Sequence, residues 1–320
     1  MIFSKVIGIG SYLPEKISTN DDLSKIIDTS DEWITTRTGI KKRHIAKEDE
    51  HTSDLATQAL QSALENAKIT GNDLDTIIVA TTTPDLIFPA TAVKVQNNIG
   101  MKKGFAFDIQ AVCSGFLYAL QIADSFIKTQ KTKRVAIVGA EVMSRIVDWS
   151  DRNTCVLFGD GAGAVILEQS EGQQNDGILD VALYSDGQYL DLLMVNGGVS
   201  KENISNKIEM NGREVFRHAV TKMTDSIKRI VDKNDFNIQD LDWVLLHQAN
   251  HRIIKSVAQK LGIEECKAIS TVHEHANTSA ASIPLALDRY VKNGKAKPGD
   301  LIALSAIGGG LTWGGALLKL

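Results

Sequence analysis

Short apolar runs alternate along this chain with longer stretches whose apolar residues recur every three or four positions. The runs predict buried strands, and the stretches predict amphipathic helices. Strands are expected at Lys5–Ile9, Asp75–Thr82, Phe105–Ile109, Arg134–Gly139, Leu241–Leu246 and Leu301–Ala306. Val156–Phe158 and Ala164–Glu168 read as two more, with the glycines of Gly159–Gly163 as a tight turn between them. Helices are expected at Asp21–Ile27, Ser30–Arg37 and Thr52–Lys68, across Val93–Ile99, and from Phe116 onward. In Thr52–Lys68 the residues Leu55, Ala59, Leu60, Ala63, Leu64 and Ala67 share one face, and Thr52 or Ser53 can cap it. Alternation of this kind belongs to the α/β class.

The pattern also repeats. Asp73-Leu74-Asp75 and its following apolar run recur 167 positions later as Asp240-Leu241-Asp242. The same offset lays Val135–Ile137 on Ile302–Leu304. An offset of 164 lays Ala123–Phe126 on Leu287–Tyr290, and one of 152 lays Gly163–Ile166 on Gly315–Leu318. Two copies of one β/α unit are therefore expected, residues 1–172 and 173–320, joined by the polar run Glu171–Asp176. The shorter last offset implies about fifteen extra residues near Met143–Leu157 in the first copy. Pro284 fits only the first turn of a helix, so the second central helix should start near Ser282.

Gly104–Lys128 holds the first candidate for chemistry. A strand turns there into an apolar helix, and Cys113 stands at the turn. A thiol at a helix N-terminus is expected to ionise readily, although free cysteine is more often a small core residue. The 164 offset sets Cys113 over Asn277, in the loop before the second central helix. His247 ends the strand Leu241–Leu246. Sulfur, imidazole and a neutral amide at the C-terminal ends of strands suit nucleophilic thiol chemistry in an open α/β sheet. Alone, His247 reads equally as a satisfied core residue. The pairs His247/His251 and His273/His275 have spacings that can bind metal, but no HExxH or CxxC pattern accompanies them. Gly308–Gly310 follows a strand and can offer backbone N–H groups to an oxyanion, or serve as a flexible turn. The glycines at 159–163 precede a strand, unlike a dinucleotide-binding turn.

Composition sets the remaining bounds. Hydrophobic residues make up 43% and charged residues 23%, and the formal net charge is −4. That is ordinary for a soluble globular protein and argues against nucleic acid as the default partner. The three cysteines, 113, 155 and 266, are too few and too dispersed for a disulfide framework, which fits a reducing cytoplasm. Cys155 is expected in an apolar strand and Cys266 beside two glutamates, both structural. The N-terminus reads as a first strand, and no run approaches the roughly 18 apolar residues that span a bilayer.

The segments AVCSGFLYAL, HQANHRI, NTSAASIP and GGGLTWGGAL occur in this order, with DTSDEWITTRTGI and FGDGAGA. Together they resemble the β-ketoacyl-acyl-carrier-protein synthase III family, which starts type II fatty-acid synthesis. The resemblance runs the length of the chain. It implies the thiolase fold, two pseudo-twofold-related halves in five αβαβα layers, and a homodimer. It implies that Cys113 takes a short acyl group, most simply acetyl, from coenzyme A. His247 and Asn277 would then polarise malonyl-carrier protein during decarboxylation, and the N–H groups of Cys113 and Gly309 would form the oxyanion hole. By the same resemblance Trp33 and Arg152 stack on adenine and Arg37 contacts phosphate. Thr29, Gly212, Phe216 and Asn250 line the coenzyme A tunnel. Phe88 reaches across the dimer to the acyl pocket. Arg217 matches a contact to the acidic carrier protein, and Arg252, Lys255 and Gln259 share one side of the helix after His251. No metal or redox cofactor is implied; coenzyme A enters with the substrate. Elongating synthases carry a second histidine, and thiolases a second cysteine, where this chain has Asn277. A specialised homologue of secondary metabolism and a non-catalytic acyl-coenzyme A or carrier-protein binding module are the alternatives. One departure is Ala276, where the family has glycine; positive φ there would cost an alanine energy.

Overall fold

The structure, a computed structural model, describes residues 1–172, 176–201 and 207–320. The first half contains β1 (Ile2–Tyr12), β2 (Lys16–Thr19), α1 (Asn20–Leu23), α2 (Asp31–Thr38), β3 (Lys42–Ile45), α3 (Thr52–Ala67), β4 (Thr76–Ala80) and α4 (Thr91–Asn98). It continues with β5 (Phe105–Ile109), α5 (Gly115–Lys128), β6 (Arg134–Val142), α6 (Arg152–Cys155) and β7 (Asp160–Glu171). The second half contains β8 (Gly177–Ser185), β9 (Leu193–Val195), β10 (Ile208–Met210), α7 (Gly212–Lys233), β11 (Trp243–Leu246) and α8 (His251–Leu261). It ends with β12 (Ala268–Ile269), α9 (Val272–His275), α10 (Ser282–Lys292), β13 (Leu301–Gly308) and β14 (Thr312–Lys319).

The two large sheets have one topology. The first runs β1-β7-β6-β4-β5 and the second β8-β14-β13-β11-β12. In each, the first three strands are antiparallel neighbours and the last three are parallel. Helices α3 and α4 cover the outer face of the first sheet, and α7 and α8 that of the second. Between the sheets lie α5 and α10, buried on both sides. The layers are thus αβαβα, a thiolase-type α/β arrangement. A central helix has little wet surface, which is why Phe116–Ile127 carries so few charges.

The repeat is real, but its offset is more uniform than the residues suggest. The turns into α5 and α10 both pivot on a left-handed residue, Val112 (φ +48°) and Ser279 (φ +49°). They lie 167 positions apart, as β4 and β11 do. Cys113 therefore corresponds to Ala280, not to Asn277. The sidechain likeness at 164 reflects the common need for small and apolar residues in both helices. At the last strand pair, Gly139 faces Gly163 and Ala306 faces Gly314, one residue away from the 152 match. The extra stretch of the first half is present: residues 143–159 join β6 to β7, whereas 309–311 join β13 to β14. Of the polar run expected to link the halves, residues 173–175 lie outside the described residues.

Four local expectations fail in whole or in part, for physical reasons. Val156–Phe158 is not a strand: Asp151 accepts the Asn153 N–H at 3.0 Å and starts the helical turn α6, which holds Cys155. Gly159–Gly163 is not a turn: residues 160–163 are the first of β7. A Cβ at Gly163 would stand 2.6 Å from the Leu285 nitrogen, so small residues here let α10 lie against the strand. Phe105–Ile109 is the outer strand of its sheet and only half-buried, with Phe105 45% exposed. The Asp21–Ile27 helix also shrinks to α1, capped by Thr19.

Candidate active site

Cys113 sits in the single 3-10 turn, Val112–Ser114, between β5 and α5. The turn is pinned from the other half. Ser114 Oγ donates to Ala111 O at 2.8 Å and meets Thr312 Oγ1 at 2.8 Å. Gly308 lies so close that a Cβ there would stand 2.7 Å from the Cys113 nitrogen. The thiol is only 4% exposed. Burial pushes its pKa up, to about 12, and the Glu141 carboxylate adds to the rise, whereas the Ser279 hydroxyl opposes it. The expected ready ionisation is overturned. A helix N-terminus alone does not offset full desolvation when no cation stands beside the sulfur.

His247 follows β11, and its N–H donates to Ser305 O at 2.8 Å. Its Nδ1 meets Ser282 Oγ at 2.6 Å, and Ser282 Oγ also accepts the Gln248 N–H at 3.3 Å. Ser282 opens α10, so a residue of the central layer fixes the imidazole. Burial lowers the His247 pKa to about 3, and the ring is neutral. Asn277 is held by its backbone, donating to Leu157 O at 2.9 Å and accepting from Gly159 N–H at 3.0 Å. Its Oδ1 accepts the Ser279 N–H at 2.9 Å, which leaves Nδ2 as the free end of the amide.

Cys113, His247 and Asn277 line one cavity of about 270 Å³. Gly212, Phe216 and Asn250 line it as well. Its walls are otherwise apolar and include Met143, Ile146, Leu157, Phe158 and Ile307. Thr29, Trp33, Arg37 and Arg152 gather outside it. Arg37 and Arg152 both lie over the Trp33 ring, at 4.5 and 4.8 Å from its centre. Arg152 also donates to Asp28 O at 2.8 Å, and Thr29 Oγ1 is buried without a hydrogen-bond partner. Asn250 joins the two groups. It caps α8 by accepting the Arg252 N–H at 2.8 Å and donates from Nδ2 to Arg37 O at 3.2 Å. Gly309 forms the turn after β13, and its carbonyl accepts from Thr312 Oγ1 at 3.2 Å.

The basic residues differ in how far they are engaged. Arg217 pairs with Glu214 at 2.7 Å and Lys255 with Glu265 at 3.5 Å. Arg252 lies over the Phe216 ring at 5.5 Å and has no carboxylate partner among the described residues. Phe88 is not among the residues that line this cavity; it is 82% exposed beside Ile87 at 76%. Residue patterns alone missed Ser279, Ser282 and Glu141. A single glutamate ending the apolar run VAIVGAEV was the visible signal for the last.

Among the described residues no three His, Cys, Asp or Glu side chains gather as a metal ion needs. His251 pairs with Glu265 and His273 with Glu274 instead. No helix is long and apolar enough to cross a membrane.

Comparison with known proteins agrees with this geometry. The 3-oxoacyl-[acyl-carrier-protein] synthase III family description matches residues 107–187, and the description of its C-terminal part matches residues 231–320. A β-ketoacyl-[acyl-carrier-protein] synthase III of Paramagnetospirillum magneticum is 55% identical, with 100% of both chains covered. The crystal structure of the 3-oxoacyl-[acyl-carrier-protein] synthase III of Aquifex aeolicus superposes with a TM-score of 0.94 at 49% identity, covering 99% of this chain and 100% of that one. The priming β-ketosynthase of the R1128 polyketide pathway superposes at 0.93 with 33% identity, covering 99% and 96%. Matches that run end to end at this identity carry the assignment that the motifs suggested, and the chain belongs to the β-ketoacyl-acyl-carrier-protein synthase III family of condensing enzymes.

Proposed function

We propose that the protein joins a short acyl group from acyl-coenzyme A to malonyl-acyl carrier protein, through a thioester on Cys113. The observation that carries this reading is one cavity holding a buried thiol beside two neutral donors. In this reading Ser282 Oγ donates to His247 Nδ1 while accepting the Gln248 N–H, and Nε2 carries the imidazole proton. Nε2–H and the free Asn277 Nδ2–H can both meet one thioester carbonyl. They stabilise the enolate that forms as carbon dioxide leaves, and no strong base is needed. The carbanion attacks acyl-Cys113 and releases the 3-oxoacyl-carrier protein. The N–H groups of Cys113 and Gly309 receive the oxyanion. Identities of 55% and 49% to two synthases III, over whole chains, support a role in starting fatty-acid synthesis.

Coenzyme A binds with its pantetheine arm past Gly212, Phe216 and Asn250 and its nucleotide at Thr29, Trp33, Arg37 and Arg152. Stacking adenine between Trp33 and Arg152 takes roughly 7 Å, two van der Waals contacts. At 4.8 Å the guanidinium must first swing off the indole. The halves divide at residue 172, and the three free thiols suit the cytoplasm. A second copy of the chain docks on the exposed β5 edge, bringing Phe88 to the partner's acyl pocket.

Two experiments test the reading. Radiolabelled acetyl-coenzyme A should leave label on the denatured wild-type protein and none on Cys113→Ala. A non-catalytic binding module would retain none in either. Arg252→Ala should raise the KM for malonyl-carrier protein about tenfold in low salt and leave acyl transfer from coenzyme A unchanged, as loss of an exposed docking cation would. Equal damage to both steps would remove Arg252 from the docking face.

A further inference from the structure

His247 and Asn277 come from different segments, yet both must reach one carbonyl. Among the described residues no hydrogen bond joins their two side chains. The duplicated fold shows where the second half departs from the first. In the first half β4 and β5 pair over five residues, Thr76–Ala80 with Phe105–Ile109. The Thr81 N–H then extends that ladder by donating to Ile109 O at 3.2 Å. In the second half β11 and β12 pair over two residues only, Val244 with Ala268 and Leu245 with Ile269. There the strands part, and the residue 167 positions after Thr81 is Gln248.

Gln248 is fully buried, and its amide fills the gap. Its Nε2 donates to Leu246 O at 2.7 Å and to Ile269 O at 3.1 Å, and its Oε1 accepts the Thr271 N–H at 2.7 Å. Two carbonyls demand the NH2 end and an N–H demands the oxygen, so the amide fits one way round only. The side chain stands in for the next peptide of the ladder and releases the Gln248 backbone N–H. That N–H donates to Ser282 Oγ at 3.3 Å, the oxygen that meets His247 Nδ1. One residue beside His247 therefore grips the segment carrying Asn277 at both ends. It holds Thr271, six residues before Asn277, and Ser282, five residues after it. Little slack lies between. Thr271 O accepts the Glu274 and His275 N–H groups, each at 3.0 Å, and the Ala276 N–H closes on Val272 O at 3.0 Å. A displacement at Thr271 thus reaches Asn277 through a single helical turn. Residues 157–159 fix the Asn277 backbone against the first half, and among the described residues they make no hydrogen bond to His247.

We infer that Gln248 sets the separation of His247 and Asn277 and is a positioning residue for decarboxylation of the malonyl group. The inference rests on the reading of those two residues as donors to malonyl-carrier protein. Gln248 is not among the residues that line the cavity. Nor does it hydrogen-bond the turn that holds Cys113, which Ser114, Gly308 and Thr312 pin. The two half-reactions therefore depend on it unequally.

The test compares wild type with Gln248→Met and Gln248→Glu in two assays. One is decarboxylation of malonyl-carrier protein without a primer; the other is labelling of Cys113 by radiolabelled acetyl-coenzyme A. The final extent of labelling counts folded sites, so every rate is expressed per labelled site. Methionine keeps the length of glutamine and removes its three side-chain hydrogen bonds. A misplacement of about 1 Å can cost about a hundredfold in rate. Gln248→Met should therefore lower the kcat of decarboxylation by at least about tenfold, with its KM and the rate of Cys113 labelling within about twofold of wild type. Glutamate adds a signature that lost stability lacks. Burial and two facing carbonyl oxygens raise the pKa of a carboxyl at this place, and the neutral acid keeps one donor and the acceptor. The neutral form is present below that raised pKa, so the per-site kcat of Gln248→Glu relative to wild type should recover as the pH falls from about 8 to about 5. A residue that served the fold alone would lower the number of labelled sites and leave the per-site rates at wild-type values. That result, or an equal per-site loss in both assays, would overturn the inference. If Gln248→Met does not fold, the recovery of Gln248→Glu at low pH decides alone. Wild type that is labelled but decarboxylates nothing would sink the donor reading itself, and this inference with it.

Discussion

Ala276 has φ +57° and ψ −160°, a conformation in which a Cβ is strained, and it is fully buried immediately before Asn277. Strain of about 1–3 kcal/mol is usual there, against the roughly 0.5–1 kcal/mol that glycine costs in chain entropy. Ala276→Gly should therefore stabilise the protein by about 1 kcal/mol, read as a higher urea midpoint at unchanged slope. A midpoint that stays or falls would show that the alanine methyl returns its strain in packing. Much at this scale could be read without coordinates. Cys113, His247 and Asn277 announce themselves by residue type at strand ends, and the alanine in a glycine's place signals its own conformation. The thiol's protonation could not be read, because it depends on burial by the opposite half. Nor could Ser282 and Ser279, whose roles arise from contacts across the fold and not from neighbours in the chain.

The site depends on how α2 meets α8. Ser30 caps α2 by accepting the Trp33 N–H at 3.1 Å, and Gly39 ends it with φ +77°. A Cβ at Gly39 would stand 2.5 Å from the His251 Cβ at the start of α8. Gly39→Ala combines a strained backbone with a collision between the helices that carry Trp33, Arg37 and Asn250. The expected outcome is a tenfold higher KM for acetyl-coenzyme A, with a smaller loss in the kcat of malonyl decarboxylation because His247 and Asn277 lie outside this junction. Equal loss in both assays would mean that the fold, not the nucleotide contact, depends on this junction. Long elements were legible because their periodicity is strong: α3 spans Thr52–Ala67 almost as its apolar face predicts. The segment around Cys155 was not, because TCVLF has the composition of a strand, yet the aspartate before it and the contacts of its backbone to Asn277 decide for a turn.

At the scale of the molecule, the outermost strand β5 leaves Phe105 stacked on Phe107 at 6.2 Å and partly in solvent, close in sequence to the exposed Ile87 and Phe88. An unpaired strand edge with apolar side chains is a surface for another copy. Phe105→Asp should halve the mass seen by sedimentation and reduce acylation, since Phe88 would no longer be supplied. A wild-type protein that sediments as a monomer would remove Phe88 from the acyl pocket. The duplication was visible in sequence order, whereas its exact register was not, since small and apolar residues suit a central helix at more than one alignment.

The segment 143–159 is what the first half has and the second lacks. It supplies Met143, Ile146, Leu157 and Phe158 to the cavity wall and Arg152 to the indole of Trp33, and it contains none of Cys113, His247 and Asn277. On the proposed reading, exchanging this one connection between relatives would swap the lining that meets the incoming acyl chain and alter the grip on its handle, while leaving Cys113, His247 and Asn277 untouched.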